Sequence, residues 1–466
     1  MDAEQGKNMD VFSPPTCPGC AERDRRIAQL EARIARLEEQ LAKVTRAGKR
    51  QAAPFSKGPP KSNPKKPGRK PGKDYGTQAS RAIPAVIDEV LEAPLPDHCD
   101  CGGTIVPDTV KHQYQTEIPR KPIHRQFNVH VGHCKNCGQR VQGRHPLQTS
   151  DALGCCASQL GPDAQATIVH LNKDAGLSHG KIGKLFSIVF DIPVTRGGVC
   201  QAMLRAAGRC LPHYHAILRN VAVAPWIVPD ETGWRIGGGP AWLHTFVTEH
   251  VVAYLVARQR GFEASSRIIP EDYDGVLGHD GFKAYDRYWE ARHQTCNNHL
   301  LRRCHELLEV ATRGAVIFPR RVKEILQEGL KVRDRRDDGE ISAKTAARKA
   351  DALQQRMVEL TGPTKTNPDN GRFAAHLFRQ QSHLFTYLRI EGIDATNYRA
   401  EQALKMPIVN RKVWGGNRTE DGAAAQGILS SALKTLALTG RHAIDWISGL
   451  LRNPADIPLL VALPGG

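Results

Sequence analysis

The sequence has no long hydrophobic run. Its longest apolar stretches, residues 221–229 and 251–257, are far too short to cross a bilayer. The opening residues, MDAEQGKNMD, contain neither a basic nor an apolar segment, so no export leader is expected. Cysteine is too sparse for a disulfide scaffold: 12 thiols in 466 residues, several in tight pairs, suit metal ligands in a reducing compartment, and hence a cytoplasmic protein without a membrane. Acidic residues are in deficit, with Asp plus Glu at 48 against Lys plus Arg at 65, a formal net charge of +17. That balance makes nucleic acid the first candidate partner, ahead of a membrane surface. The length allows two or three packed cores.

The deficit of acid is concentrated. Residues 43–73 contain no acidic side chain but eleven basic ones, among them Lys65, Lys66, Arg69 and Lys70, together with six prolines. A helix or strand is implausible in such a stretch, and it reads as a disordered basic linker. It suits a tether that grips phosphates without sequence preference, or one that lays Arg69 and Lys70 into a narrow minor groove. Before it, Ile27, Leu30, Ile34, Leu37, Leu41 and Val44 recur in steps of three and four on one helical seam. Residues 21–41 carry five basic and five acidic side chains around that seam, fitting either a short self-association coil or a solitary solvated helix. Cys17 and Cys20 have knuckle spacing, with no second pair nearby.

A second pair of knuckles follows. Cys99-Asp-Cys101-Gly and Cys134-Lys-Asn-Cys137-Gly bracket Phe127, Val129 and Val131, which alternate like a strand. Two thiolate pairs around a short ribbon make a tetrahedral Zn²⁺ site, the alternative being unliganded thiols. The first knuckle is shortened, so its second ligand is either Cys99 or His98. Beyond it, residues 159–213 read as helices, with Ser178 and Thr195 as N-caps of two short helices joined by a turn through Pro193. The pair resembles a helix-turn-helix that presents Arg196 at the start of its second helix. The run GLSHGKI from Gly176 imitates a phosphate loop but is one residue short and lacks the hydroxyl, so it is not one.

From residue 221 the pattern turns to strands. An apolar run ends on Asp230. A glycine turn at Gly237–Gly239 is followed by strands at 242–248 and 251–257, a helix near 263–269, and a short strand ending on Asp280. Three antiparallel strands, a helix, then further strands with helices is the order of a ribonuclease-H-like core. Asp230 and Asp280 would lie on neighbouring strands, or serve only as strand-end turn formers. Glu401 falls on a helical face with Asn397, Leu404, Lys405 and Ile408, where burial would require a compensating cation; otherwise it is a solvated helix edge. Three acids of this kind can hold two Mg²⁺ ions for in-line attack on phosphorus. Asn410, Arg411, Lys412 and Arg418 offer phosphate contacts beyond Glu401, and Trp414 is either a base-stacking or a core residue. Pro229 denies the first strand one ladder hydrogen bond.

Several of these motifs occur together in a recognisable order: PDETGWRIGG around Asp230, HDGFKAYD around Asp280, CNNHLLR from Cys296, NYRAE ending on Glu401, and RKVW from Arg411. In this the chain resembles bacterial transposases of the insertion-sequence-66 family, over most of its length. The resemblance implies Asp230, Asp280 and Glu401 as a DDE triad acting with Mg²⁺ on double-stranded DNA, at the terminal inverted repeats of an insertion sequence and at a target. It also implies Cys296 and His299 as a supporting Cys-x2-His element, and small accessory proteins from the same element. The expected architecture is a multidomain α/β protein. A coiled coil (1–45), the basic linker (46–82), a zinc segment (83–150) and a helix-turn-helix (151–220) precede the core. The core itself spans 221–312 and 391–466 around a helical insertion (313–390), and assembly as a homodimer or higher on DNA is expected. The rival expectations are a catalytically silent DNA-binding descendant and a zinc-ribbon nuclease that cuts without joining. For the ribbon, Cys134→Ser is expected to release the bound zinc, read as metal content of the purified protein; unchanged zinc rules the ribbon out.

Overall fold

The computed structural model describes residues 18–49, 83–98, 100–116, 118, 121–154 and 159–464, in two units, 1–116 and 117–466. The basic linker residues Lys65, Lys66, Arg69 and Lys70, together with Cys17 and Cys99, lie outside the described residues. In the first unit, α1 (Pro18–Lys49) carries the expected heptads, and Ile27, Leu30, Ile34 and Leu37 are each 45–55% exposed along it. His98 forms an isolated bridge with Thr104.

The second unit begins with a hairpin of β1 (Val131–His133) and β2 (Arg140–Gln142), paired antiparallel. The strand expected from Phe127 onward is therefore mostly absent. Alternation alone does not make a strand: the partner β2 has only three residues, so the ladder reaches back no further than Val131.

Three helices follow: α2 (Pro162–Lys173), α3 (His179–Phe190) and α4 (Arg196–Ala222). Both expected N-caps form, with Ser178 Oγ accepting the Lys181 N–H at 3.4 Å and Thr195 Oγ1 the Gly198 N–H at 3.0 Å. Asp191 ends α3 in the left-handed region, at φ 54°. The second helix of the pair is not short. It continues for 27 residues, through Pro212, because its inner face (Val199, Met203, Ala206, Cys210, Ile217) stays buried along its length. That burial offsets the hydrogen bond the proline removes.

The sheet has the order β5-β4-β3-β6-β7. Strands β3 (Trp226–Ile236), β4 (Gly239–Val247) and β5 (Val252–Ala257) are antiparallel, while β6 (Val276–His279) runs parallel to β3 and β7 (Arg292–Thr295) parallel to β6. A single turn, α5 (Phe262–Ser265), precedes β6. The apolar run from 221 divides differently from expectation. Its first residues finish α4, and β3 passes through Asp230 to Ile236 rather than stopping there. Pro229 leaves the register undisturbed, opposite Phe246 of β4, because the β3–β6 pairing has already ended at Ile227. From Val228 β3 is an edge on that side until Ile236 bridges Asn417, and proline is tolerated there.

Strand alternation sends Ile227, Phe246, Ala253 and Leu277 into one core with α2, α4, α11 (Glu420–Leu438) and α12 (Ala443–Arg452). On the opposite face, Val228, Leu243, Val252 and Tyr254 pack with Ala400 and Leu404 of α10 (Tyr398–Trp414). Helix α6 (Asn297–Val310) leads into a helical insertion, α7 (Ile317–Asp337), α8 (Ala343–Thr361) and α9 (Pro368–Arg379). Its core around Val322, Leu326, Met357, Leu377 and Tyr387 is continuous with Leu300 and Leu307 of α6 and Val276 of β6.

The outer edge of β5 is closed by hydroxyls rather than by a strand. Ser431 Oγ of α11 accepts the Tyr254 N–H at 2.8 Å, Thr435 Oγ1 accepts the Val252 N–H at 3.2 Å, and the Tyr214 hydroxyl donates to the Tyr254 carbonyl at 2.8 Å. This satisfies an edge that would otherwise present free donors. Helix α11 approaches so closely that a Cβ on Gly427 would lie 2.9 Å from the Tyr254 carbonyl oxygen. The fully buried Tyr254 also donates its hydroxyl to the Ala403 carbonyl at 2.7 Å, tying α10 to the sheet. Tyr254→Phe is expected to lower stability by about 1–3 kcal/mol, leaving a buried carbonyl without its donor. A thermal unfolding midpoint equal to wild type would contradict this.

Candidate active site

Asp230 lies in β3 just beyond the point where β3 and β6 part, and Asp280 follows the last residue of β6. The carboxyl ends of adjacent parallel strands are where an open α/β sheet offers a crevice. Asp230 shares the face of β3 that α10 covers. There its Oδ2 accepts a hydrogen bond from Asn397 Nδ2 at 3.4 Å, and its Oδ1 accepts the Glu231 N–H at 2.8 Å. Asp280 Oδ1 accepts the Phe282 N–H at 2.8 Å, closing the turn after β6. Glu401 stands in the first turn of α10, where the helix dipole favours a negative charge, with Oε1 3.9 Å from His299 Nε2. The three acids thus come from β3, the end of β6 and α10, and they act on one another. Burial pushes the Asp230 carboxyl up to about 7, helped by the charges of Glu231, Asp280 and Glu401 and opposed by the Glu231 N–H.

A fourth acid belongs to this group and was not anticipated. Glu231 faces the other side of β3, with its side chain only 4% exposed. It accepts a hydrogen bond from Arg260 Nε at 3.0 Å and from the Tyr285 hydroxyl at 3.2 Å. The Arg260 guanidinium is in turn sandwiched between the rings of Trp242 (4.6 Å) and Phe282 (4.4 Å). Burial still holds Glu231 above the ordinary carboxylate range, against the pull of Arg260. A second acid directly after Asp230 is the available signal in the sequence, although nothing in the spacing points to Arg260.

Among the described residues no three His, Cys, Asp or Glu converge closely enough to hold a metal ion, so the triad shares a field rather than a coordination sphere. By chemistry its members fit a hard cation. All three offer carboxylate oxygens, and the buried Oδ1 atoms of Asn397 and Asn297 nearby have no hydrogen-bond partner. Cys296 is buried and accepts the Asn397 N–H on Sγ at 3.3 Å, and its thiol is raised by that burial. His299 Nδ1 is buried without a partner. Of the zinc candidates, His98 and Cys101 lie in the first unit and Cys134 and Cys137 in the second. Cys134 heads a turn closed by the Gly138 N–H on its carbonyl (2.9 Å), and its thiol is lowered by the N–H groups of Cys137 and Asn136.

The basic candidates separate. Lys412, Arg418 and Arg196 are exposed. Arg411 instead turns inward, donating to Thr232 Oγ1 at 3.1 Å and to the Gly233 carbonyl, and so braces α10 on β3. Asn410 is fully buried, its amide donating to the Lys173 carbonyl at 3.0 Å, which removes it from the expected phosphate contacts. Trp414 is half-buried with the Lys173 ammonium 6.0 Å from its ring. Lys173 itself is buried, bonded to Gln426 Oε1 at 2.6 Å, and desolvation brings it down to about 7.

A family model described as the transposase IS66 family matches residues 157–425. No curated protein matches the chain.

The raised Asp230 has a consequence for stability. Its protonated form is favoured in the folded state, so its contribution is complete below the ordinary value of 3.8 and is lost as pH rises to about 7. Asp230→Asn removes that loss. With divalent ions chelated, the variant is expected to melt a few degrees above wild type at pH 8, with the gap narrowing as pH falls from 7 to 5. A gap of the opposite sign, or one independent of pH, would contradict the assignment.

Proposed function

Since the match covers more than half of the 466 residues, the chain belongs to the transposase IS66 family, and we propose that it binds the terminal inverted repeats of an insertion sequence and catalyses DNA strand cleavage and strand transfer with Asp230, Asp280 and Glu401. The observation that carries this reading is the placement of three acids from separate elements, Asp230 within β3, Asp280 just past the end of β6 and Glu401 in the first turn of α10, where the charges of the other two help to raise the Asp230 carboxyl. Clustered like charges are costly to bury and are kept where chemistry needs them. The sheet order and the inserted helices support a ribonuclease-H-like core.

In this reading the carboxylates of Asp230, Asp280 and Glu401 would hold two Mg²⁺ ions, and the chemistry those ions would supply is Lewis acidity toward the attacking and leaving oxygens. Cleavage joins a water oxygen to phosphorus and breaks the bond to the 3′ oxygen, leaving a 3′-hydroxyl. In transfer that hydroxyl attacks a target phosphorus and releases another 3′ oxygen. Asn397 orients Asp230 through its amide, and Arg260 keeps Glu231 paired and away from the reacting phosphate. Cys296 and His299 support the start of α10, which positions Glu401. Exposed Lys412, Arg418 and Arg196, together with Lys65, Lys66, Arg69 and Lys70 of the linker, contact phosphates. The α3–α4 pair reads the ends as a helix-turn-helix and α1 pairs two copies, while Cys101, Cys134 and Cys137, with Cys99 or His98, are the residues that would supply the thiolate and imidazole ligands for Zn²⁺. Small accessory proteins of the same element complete the assembly.

The test is cleavage of labelled end DNA in Mg²⁺. Asp230→Ala, Asp280→Ala and Glu401→Gln are each expected to reduce the rate at least about a hundredfold while retaining end binding. Full activity in any of them removes that residue from the triad. Binding without cleavage by the wild type would mark a silent descendant, and cleavage without a strand-transfer product would mark a nuclease.

A further inference from the structure

The turn that carries Asp280 is held by a hydrogen-bonded chain of histidines behind it. The Gly281 N–H donates to His279 Nδ1 at 3.0 Å, His279 Nε2 lies 2.9 Å from His293 Nδ1, and His293 Nε2 lies 2.9 Å from the Tyr288 carbonyl oxygen. Both ends of this chain have fixed roles. A peptide N–H can only donate, so His279 Nδ1 is the acceptor. A carbonyl can only accept, so His293 Nε2 carries the proton. The bond between the rings therefore runs from His279 Nε2–H to His293 Nδ1, and both rings take the Nε2–H tautomer. Both are buried, His279 completely.

The next peptide, on the other side of the Gly281 Cα, is held by the helical insertion. Arg379 donates to the Gly281 carbonyl at 3.4 Å, and the His376 ring occupies the space where a Cβ on residue 281 would fall, 2.9 Å from its Cε1. Gly281 has φ 89°, a conformation other residues adopt only with strain. Arg379 is itself steadied by Asp286, 3.7 Å away. The two peptide planes that flank Gly281, immediately after Asp280, are thus each fixed: the first at its N–H by the histidines of β6 and β7, the second at its carbonyl by α9.

We propose that His279 and His293 are positioning residues: acting through the Gly281 N–H, they aim the Asp280 carboxylate for divalent-ion binding. The inference rests on the metal-ion reading of the triad. It asks more of the two histidines than filling the core, because direction as well as volume matters. In Asn, Oδ1 replaces His Nδ1, so His279→Asn keeps the acceptor for Gly281. In Gln, the terminal amide reaches the position of Nε2, so His279→Gln keeps the link to His293 and loses that acceptor. Both variants remove ring volume.

The experiment measures Mn²⁺ affinity of the full-length protein by calorimetry, beside thermal midpoints and two-bond ¹⁵N–¹H spectra of histidine-labelled wild type. Affinity in His279→Asn is expected within about threefold of wild type and in His279→Gln about tenfold weaker, with similar losses of thermal stability. The spectra are expected to show His279 and His293 as Nε2–H tautomers. Equal affinities in the two variants, whether both unchanged or both weakened, would reduce the histidines to packing and overturn the proposal, as would an Nδ1–H tautomer at either ring. Failure of the wild type to cleave end DNA would refute the catalytic reading alone, since the positioning role is read from ion affinity and tautomers.

Discussion

Four carboxylates, Asp230, Glu231, Asp280 and Glu401, are held within electrostatic reach of one another at a partly buried site, and most of the surrounding structure answers the repulsion this creates. Adjacent residues of a strand point to opposite faces, so β3 places Asp230 and Glu231 on opposite sides of the sheet. Glu231 is then neutralised by an arginine that two aromatic rings hold in place. Among the described residues no ion pair is made by Asp230; it meets the amide of Asn397. One acid is paired permanently, and its neighbour keeps the capacity to take a charge from elsewhere.

The rest of the fold keeps these acids from separating. Helix α10 is attached to the sheet by Tyr254 at Ala403, by Arg411 at Thr232 and Gly233, and by Cys296 at Asn397. Each attachment uses a backbone carbonyl, a backbone N–H or a hydroxyl that would otherwise be buried unpaired, so stability and site geometry depend on the same bonds. Helix α11 closes the exposed edge of β5 with two hydroxyls, which allows the sheet to stop at five strands. The helical insertion, whose core is shared with α6 and β6, returns Arg379 and His376 to the turn after Asp280.

Reading from residues to structure succeeded where the signal was local. The two N-caps, the glycine turn between β3 and β4, and strands β4, β5 and β6 depend on neighbours within a few positions, and they lie close to where the sequence places them. It failed where partners are remote. The strand from Phe127 has too short a mate, α4 runs past Pro212 because a distant core buries it, and Asn410 and Arg411 turn toward α2 and β3 instead of solvent. A basic or amide side chain near a site reads as a phosphate contact until the carbonyls around it are known.

The sequence by itself determined the charge distribution, the caps and turns, the alternation that builds the sheet, and the order of motifs that places the chain in its family. These are properties of residue type and short spacing, and they need no knowledge of what packs against what. Only the tertiary structure decided that Asp230 would be pushed up to about 7, that Glu231 would be its paired neighbour, and that His279 and His293 would stand behind Asp280. Burial and directed hydrogen bonds are set by groups far apart in the chain, and they exist only once β3, β6, α9 and α10 have met.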